Sequence, residues 1–428
     1  MLNANVWRRA LGVDRATVIE EIDFDEESET VVVRVRPRRS TKRRCGLCGV
    51  RSPGYDQGEG RRNWRNLDLG TMRCYLQADS PRVRCSVHGP TVAQVPWARH
   101  GTGHTRDFDD QVAWLVTHSP KSTVAALMRV AWRTVGSIIE RVVTDARAAH
   151  DPFDGLARIG VDEISYKKGH RYLTIVVDHD SGRLVWAAVG RDKATLGTFF
   201  DLLGAERSGA IRIVTADGAE WIAQVIAERC ANATLCIDNF HVTQWASRSL
   251  DEVRRQVWNE ARRGGMSGLA QQLQGCRYAL WRNPEDLSER QSAKLAWIAK
   301  VNAPLYRAYL LKEQLRTAIA TKGEEAITML KEWLAWAQRC RIRAFVELGR
   351  QVKKPLPGIE AAMIRRVSNG LVESTNTKLR VLHLMAFGFK KPEHLIALAL
   401  LDRGGYCPDL PRRNSSTRAS ALALASFG

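Results

Sequence analysis

The sequence predicts a multidomain α/β protein with a β-rich N-terminal module, a helix-turn-helix and a mixed five-stranded sheet interrupted by a helical insertion. Three observations predict this architecture. Paired metal-ligand side chains lie among short β-like segments before residue 90, and apolar residues take helical spacing from residue 107. From residue 157, β-branched runs separated by Gly, Asp and Ser indicate an antiparallel meander that continues into alternating helices and strands.

Length and charge set the broad class of the protein. A chain of 428 residues predicts about two to four domains. Lys and Arg number 65 against 46 Asp and Glu, and this net charge of +19 favours a nucleic-acid partner, although membrane-surface binding or simple solubility would give the same balance. The sequence has no apolar run of transmembrane length and no secretory signal pattern, and its nine scattered cysteines fit a reducing cytoplasm.

The first domain, residues 1–103, is predicted to be a β module that binds zinc. Its candidate ligands form two pairs with the same spacing: Cys45 and Cys48, then Cys85 and His88. Two ligands that flank two residues can reach one tetrahedral ion, so these pairs predict structural Zn²⁺. Unconnected core thiols beside a surface histidine are the alternative. Cys74 is interpreted as a core residue, and the basic pair Arg43 and Arg44 is a candidate DNA contact.

The second domain, residues 104–150, is predicted to be a helix-turn-helix that binds DNA. Apolar residues keep helical spacing from residue 107, a short helix follows from Thr123, and the turn 128–130 precedes a longer helix, 131–143. In this motif the last helix enters the major groove. Its N-terminal part would present four side chains to DNA: Trp132, Arg133, Thr134 and Ser137. A three-helix packing unit without DNA is the alternative.

The third domain is organised around Asp162, which lies in an apolar strand. A carboxylate in a buried strand is costly unless it is paired or holds a metal, whereas an acid at a sheet edge needs no such explanation. Three antiparallel strands followed by helix, strand, helix and strand are the order of a ribonuclease-H-like fold, with the first strand beside the fourth. Asp162 and Asp217 would then be neighbours, and Glu373 on a late helix is the candidate third acid. Shared carboxylates of this kind can hold two Mg²⁺ ions.

The predicted boundaries of this domain follow from the same pattern. The catalytic sheet and its late helices take residues 151–243 and 367–407, and a Trp-containing helical insertion takes residues 244–366. Residues 408–428 are predicted to be a flexible tail. Of the neighbouring acids, Glu163, Asp178 and Asp180 are expected in turns or on the surface, and Asp238 either orients the site or binds DNA.

These motifs together resemble the ISL3 family of bacterial insertion-sequence transposases, which are of the DDE type. The resemblance runs from the first cysteine pair to about Leu401. The residues that carry it are Arg43-Arg44-Cys45-Gly-Leu-Cys48, Arg82-Val-Arg84-Cys85, Ile159-Gly-Val-Asp162-Glu163, Ala216-Asp217-Gly218, Ile237-Asp238-Asn-Phe-His-Val242, and the segment from Asn369-Gly-Leu-Val-Glu373 through Asn376 to Ala386-Phe-Gly-Phe389. Three positions depart from the family pattern, namely His88 for a usual Cys, a turn at 128–130 without Gly, and His383-Leu-Met385 for basic residues.

The resemblance implies a function and its site residues. Asp162, Asp217 and Glu373 would be the catalytic triad, holding two Mg²⁺ or Mn²⁺ ions, while Asn376, Lys378 and Arg380 would contact DNA. The expected activity is binding of terminal inverted repeats, metal-dependent DNA cleavage and strand transfer into target DNA. The expected assembly is a homodimer on double-stranded DNA in the bacterial cytoplasm, associated with the nucleoid. A domesticated DNA-binding regulator and a nuclease without strand transfer are the alternatives.

Overall fold

A computed structural model describes residues 4–167, 169–386, 388–389 and 391–411. The chain forms two compact units, one of residues 1–151 with 381–428 and one of residues 152–380. The predicted tail therefore lies mostly outside the described residues, from position 412 onward. No helix in the described part of the chain is both long and apolar enough to cross a membrane.

The first unit begins with a helix and two small sheets, confirming the predicted β module. Its elements are α1 (Ala4–Leu11), β1 (Thr17–Asp25), β2 (Thr30–Pro37), β3 (Gly54–Asp56), β4 (Arg61–Arg65), β5 (Arg73–Asp79), β6 (Arg82–Cys85) and β7 (Gly89–Val92). The strand orders are β1-β2-β5-β4 and β3-β6-β7. Alternation along β2 buries Val31, Val33 and Val35, as period-two patterning requires.

Three helices follow: α2 (Arg106–His118), α3 (Lys121–Leu127) and α4 (Trp132–Ala149). Thr105 caps α2 by accepting a hydrogen bond from the Phe108 N–H at 3.3 Å. The third helix begins one residue later and ends six residues later than predicted. Its last turn is rich in alanine, which favours helix without any apolar pattern.

The second unit contains the predicted five-stranded sheet. Its elements are β8 (Arg158–Lys167), β9 (Arg171–Asp178), β10 (Leu184–Val189), α5 (Lys193–Leu203), α6 (Ala205–Ala210), β11 (Ile213–Ala216), α7 (Glu220–Arg229) and β12 (Thr234–Ile237). The strand order is β10-β9-β8-β11-β12. The first three strands pair antiparallel, whereas β11 pairs parallel with β8 and β12. This confirms the ribonuclease-H-like order, with its first strand in the centre.

The insertion is helical, as predicted. It contains α8 (Asn239–Arg263), α9 (Ser267–Gln274), α10 (Arg277–Trp281), α11 (Glu289–Val301), α12 (Ala303–Ala320), α13 (Glu324–Arg339), α14 (Arg343–Lys353) and α15 (Leu356–Arg365). Trp333 is fully buried at the centre of its core, and its indole N–H donates to the Leu311 carbonyl at 2.8 Å. Trp281, by contrast, is 39% exposed.

The last two helices are α16 (Gly370–Met385) and α17 (Pro392–Arg403). The boundary between the compact units falls within α16, after Arg380. Residues 381–407 therefore group with the first unit and not with the catalytic sheet, which differs from the predicted domain 367–407. The physical reason is that α17 packs on α2 and α4.

Candidate functional sites

Four side chains of the first unit converge in the geometry of a tetrahedral metal site. The ligand atoms of Cys45, Cys48, Cys85 and His88 all lie within 4.8 Å of one another. The Cys48 and Cys85 Sγ atoms are 3.7 Å apart, and the His88 Nδ1 lies 3.6 Å from Cys45 Sγ and 3.7 Å from Cys85 Sγ. A zinc tetrahedron has edges of roughly 3.8 Å between sulfurs and 3.5 Å between sulfur and nitrogen. The cluster therefore fits Zn²⁺.

The backbone of each ligand pair prepares its cysteine for a metal. The Leu47 N–H donates to Cys45 Sγ and the Val87 N–H donates to Cys85 Sγ, each at 3.4 Å. Backbone hydrogen bonds from His88 and Val87 lower the pKa of the Cys85 thiol to about 6. The thiolate, which is the form that binds metal, is thereby favoured. Cys74 is fully buried in β5, outside the cluster.

The two arginines before the first cysteine, Arg43 and Arg44, have different surroundings. Arg44 Nη1 donates to the Gly49 carbonyl at 3.0 Å, so this side chain supports the turn that carries the first ligand pair. Arg43 is exposed and holds a left-handed backbone with φ of 60°. Of the two, Arg43 is the more accessible to a phosphate.

The N-terminal end of α4 carries the candidate base-contacting residues. Trp132, Arg133 and Ser137 are exposed, whereas Thr134 is half-buried. The Lys121 Nζ lies 3.7 Å from the centroid of the Trp132 ring and fixes the orientation of the indole through a cation–π contact. Burial lowers the pKa of Lys121 to about 8.

The turn between α3 and α4, which has no glycine, holds Arg129 in a left-handed backbone conformation. Arg129 has φ of 53°, which costs a non-glycine residue roughly 1–2 kcal/mol. Its guanidinium pairs with Asp68 and donates to the Thr71 carbonyl at 2.9 Å. These contacts stabilise the strained turn, so the motif forms without glycine.

In the second unit, Asp162 lies on β8, and Asp217 directly follows the neighbouring strand β11. Thr215 of β11 pairs in parallel with Gly160 of β8, and each aspartate lies two residues further along the chain. Burial raises the pKa of Asp162 to about 6, and the charges of Asp217 and Asp238 act in the same direction. The structure thus brings the two predicted aspartates together in a largely desolvated place.

Three contacts fix α16 against this pair of strands. A Cβ at Gly160 would lie 2.3 Å from Val372 Cγ2, so only glycine lets the helix approach β8. The Thr215 hydroxyl donates to Asn369 Oδ1 at 2.7 Å and accepts from His179 Nε2 at 2.7 Å. Almost two turns into the helix, Asn376 Nδ2 donates to Asp162 Oδ2 at 2.7 Å.

Glu373 is half-buried on α16, one turn before Asn376. An offset of three residues turns it about 60° from Asn376 around the helix axis. Among the described residues, the zinc cluster is the only set of three or more His, Cys, Asp and Glu side chains close enough together to hold one metal ion, so the three acids do not form such a set. A two-metal site tolerates such spacing, because its outer ligands can be roughly 8 Å apart.

Asn376, a predicted DNA contact, lies inside the proposed catalytic site. Asn376 is 4% exposed, and its amide is used inside the site to hold Asp162. It faces β8 because the docking of Val372 on Gly160 selects this face of α16. Arg380 is exposed and Lys378 is half-buried, so these two remain candidate DNA contacts.

The sequence interpretation missed one acid of the site, Glu163, and had Asp238 as a residue that orients the site or binds DNA. The Glu163 side chain is 6% exposed and faces Arg191, which corrects its expected place in a turn or on the surface. Asp238 is 4% exposed and caps α8 by accepting from the Phe240 N–H at 3.3 Å. Asp180 is exposed in the turn after β9, as expected, whereas Asp178 is the last residue of β9 and is buried. Strand alternation was a signal for Glu163, since it follows the buried Ile159 and Val161 on one face.

Comparison with known families identifies the chain. A model of the DDE domain of this class, described as transposase, matches residues 159–399. The helix-turn-helix domain of transposase family ISL3 matches residues 93–143, and the zinc-finger of transposase IS204/IS1001/IS1096/IS1165 matches residues 41–88. The chain belongs to the ISL3 family of transposases.

Relatives of this ISL3 transposase cover most of its length. It is 54% identical to the transposase for insertion sequence element IS1557 from two strains of Mycobacterium tuberculosis, over 98% of this chain and 100% of each relative. It is 24% identical to the transposase for insertion sequence element IS1001 of Bordetella parapertussis, over 88% of this chain and 92% of the relative. These matches favour neither the regulator nor the simple nuclease.

Family and geometry agree on the functional parts of this ISL3 transposase. It is a DNA transposase with a catalytic DDE domain and a DNA-binding helix-turn-helix. The zinc-finger match coincides with the cluster of three cysteines and one histidine, which supports structural zinc. His88 in place of a usual cysteine keeps the site complete.

Proposed function

We propose that this transposase binds the terminal inverted repeats of its element, cuts DNA by metal-dependent hydrolysis, and joins the freed 3′-OH to target DNA. Asp162, Asp217 and Glu373 carry out both chemical steps at one site. The observation that supports this most is that Asp162 on β8 and Asp217 at the end of the adjacent parallel strand β11 are in register, with the Glu373 helix docked on Asp162 through Asn376.

The side chains around the aspartates fit a hard divalent cation. Glu163 Oε1, Asp238 Oδ2 and Asn376 Oδ1 are buried oxygens without a hydrogen-bond partner among the described residues. Such oxygens are costly unless something positive faces them, and Mg²⁺ takes oxygen ligands. When bound by Asp162, Asp217 and Glu373, two Mg²⁺ or Mn²⁺ ions about 3.5–4 Å apart would polarise the scissile phosphate and stabilise the entering and leaving oxygens.

The protein orients Asp162 for this role with two hydrogen bonds. The Glu163 N–H donates to Asp162 Oδ1 at 2.8 Å, and Asn376 donates to Oδ2 at 2.7 Å. Asp217 Oδ1 accepts from the Ala219 N–H at 3.0 Å. Each carboxylate keeps further lone pairs for a cation, because an ionised carboxylate accepts about four hydrogen bonds.

End recognition is assigned to the first unit. The exposed side chains at the start of α4 would contact base edges, and Arg43 would contact a phosphate. An element has two ends, so we propose a homodimer assembled on DNA. Because its proposed substrate is chromosomal DNA, we expect the protein to associate with the nucleoid.

Replacing Arg133 and Thr134 by Ala should reduce discrimination between inverted-repeat and random DNA. A lost base contact costs about 1–3 kcal/mol, which corresponds to about 5- to 150-fold in the specificity ratio. Binding to both DNAs is measured by titration over a range of salt concentrations. The matched variant Arg43→Ala should weaken both DNAs alike and reduce the salt slope by about 1. Equal losses for both DNAs in the Arg133/Thr134 variant would contradict base recognition there.

Strand transfer separates a transposase from the two alternatives. A pre-cleaved inverted-repeat end with a free 3′-OH is incubated with a supercoiled plasmid, purified protein and Mg²⁺. We expect covalent joining of the end to the plasmid. Hydrolysis without joining would indicate a nuclease, and binding alone would indicate a regulator.

A further inference from the structure

Arg191 lies in the turn between β10 and α5, beside the acidic site. Its Nε is 2.5 Å from Glu163 Oε2, and its guanidinium carbon lies 4.8 Å from the centroid of the Tyr172 ring. The Arg191 side chain is 45% exposed, whereas that of Glu163 is 6% exposed. One edge of the guanidinium is therefore anchored on a buried acid, and the rest of the side chain reaches solvent.

The backbone of this turn is fixed on both sides of Arg191. Gly190 has φ of 135°, and a Cβ there would lie 2.0 Å from Thr195 Oγ1, so no other residue fits. The Gly190 N–H donates to the Tyr172 carbonyl at 3.0 Å. Asp192 caps α5 by accepting from the Thr195 N–H at 2.7 Å. The arginine is thereby held in place before any ligand arrives.

Glu163 connects this arginine to the catalytic acids. Glu163 directly follows Asp162 on β8, and its Oε2 is paired with the Arg191 Nε. Arg191 therefore contacts the residue next to a proposed catalytic acid. A cation at this place offsets the repulsion between the acids and an approaching DNA backbone.

We propose that Arg191 is a DNA-binding residue of the catalytic site, which contacts a backbone phosphate next to the scissile one and is positioned by Glu163 and Tyr172. This inference rests on the proposed catalytic role of Asp162 and Asp217. A guanidinium whose Nε is engaged still has two terminal amino groups in one plane, and these match two oxygens of a phosphate. The competing interpretation is that Arg191 only neutralises the buried Glu163.

Arg191→Gln and a set of modified DNAs distinguish the two interpretations. Each end duplex carries one neutral methylphosphonate at a different position beside the cleavage site, and cleavage is followed in a single turnover. Arg191→Gln should cut unmodified DNA about 10- to 100-fold more slowly, with end binding nearly unchanged, because one charged hydrogen-bonded contact is lost. At one position the methylphosphonate should slow the wild type and not slow Arg191→Gln further.

The chain offers a matched control in Arg229→Gln. The Arg229 side chain is 47% exposed, and its Nη1 lies 3.1 Å from Asp201 Oδ1, so it resembles Arg191 in exposure and in being paired with an acid. The Arg229→Gln variant should cut DNA at the wild-type rate. Arg191→Lys keeps a charge beside Glu163 and protects the fold, yet it should cut several-fold more slowly, because lysine cannot bind a phosphate through two amino groups.

Two results would overturn this inference. One is an additive loss of cleavage rate at every methylphosphonate position. The other is a cleavage rate of Arg191→Gln or Arg191→Lys equal to that of Arg229→Gln. Neither result would touch the proposed catalytic triad. Failure of the triad is seen separately, as normal cleavage by the variants of Asp162 and Asp217.

Discussion

Cys48→Ser is expected to unfold the zinc module and to abolish specific binding of end DNA. The β3-β6-β7 sheet has a buried core of only Cys45, Val83 and Cys85, with Ala93 packed against it. Two of these three residues are metal ligands, so apolar burial alone is too small to stabilise the module. Zinc binding to small modules contributes an apparent folding free energy of about 10–16 kcal/mol at neutral pH.

Metal content and DNA binding measured on the same preparations test this expectation. The wild type should contain one zinc per chain, and Cys48→Ser should contain none. Cys407→Ser is the control, because Cys407 is half-exposed and lies outside the cluster. Thermal melting should show that the second unit remains folded in Cys48→Ser. A wild type without zinc, or a Cys48→Ser variant that binds ends normally, would contradict the assignment.

The parts of the fold that the sequence predicted are those with local signals. The zinc ligands are paired two residues apart, and the alternation of Val31, Val33 and Val35 identifies β2 directly. The order of strands and helices after residue 157 is enough to imply the central place of β8. Spacing and period carry this information, because each is set within a few residues.

The parts that the sequence did not predict depend on contacts between distant segments. Glu163 is buried because Arg191, in a turn beyond two further strands, reaches it. Asn376 faces Asp162 because Gly160 lets α16 approach β8. The local sequence pattern predicts neither the partner of Glu163 nor the face of α16 that docks on β8.

The compact units divide the chain differently from the predicted domains at α17 for the same reason. The helix continues the pattern of the catalytic segment, yet it packs on α2 and α4 of the first unit. A helix that follows one domain in the sequence can still pack its apolar side against another domain.

The second large effect is expected at the catalytic acids. Asp162→Asn, Asp217→Asn and Glu373→Gln keep the shape of each side chain and remove a charged ligand. Each should reduce cleavage and strand transfer at least about 1,000-fold, or roughly 4 kcal/mol of barrier. Double variants should lose little more, because the three residues act as a unit. End binding should be unchanged or slightly stronger, since a negative charge near the DNA backbone is removed.

The wild type and the Asp162→Asn variant should differ in how much Mg²⁺ raises their melting temperature. Carboxylates brought close together repel, and Asp162 is largely buried beside Asp217 and Asp238. Mg²⁺ should therefore raise the melting temperature of the wild type, because it binds only the folded site. The Asp162→Asn protein should melt at the same temperature with and without Mg²⁺.

Single-turnover cleavage of a labelled inverted-repeat duplex in Mg²⁺ by Glu373→Gln, beside Glu360→Gln, tests the central assignment most directly. Glu360 lies on α15 and is 3.8 Å from Lys331, so it is an acid of the insertion with a structural partner. We predict no detectable cleavage by Glu373→Gln and wild-type cleavage by Glu360→Gln. Near-normal cutting by Glu373→Gln with loss in Glu360→Gln would move the third acid to the insertion. Normal cutting by the Asp162, Asp217 and Glu373 variants alike would contradict the proposed catalytic site altogether.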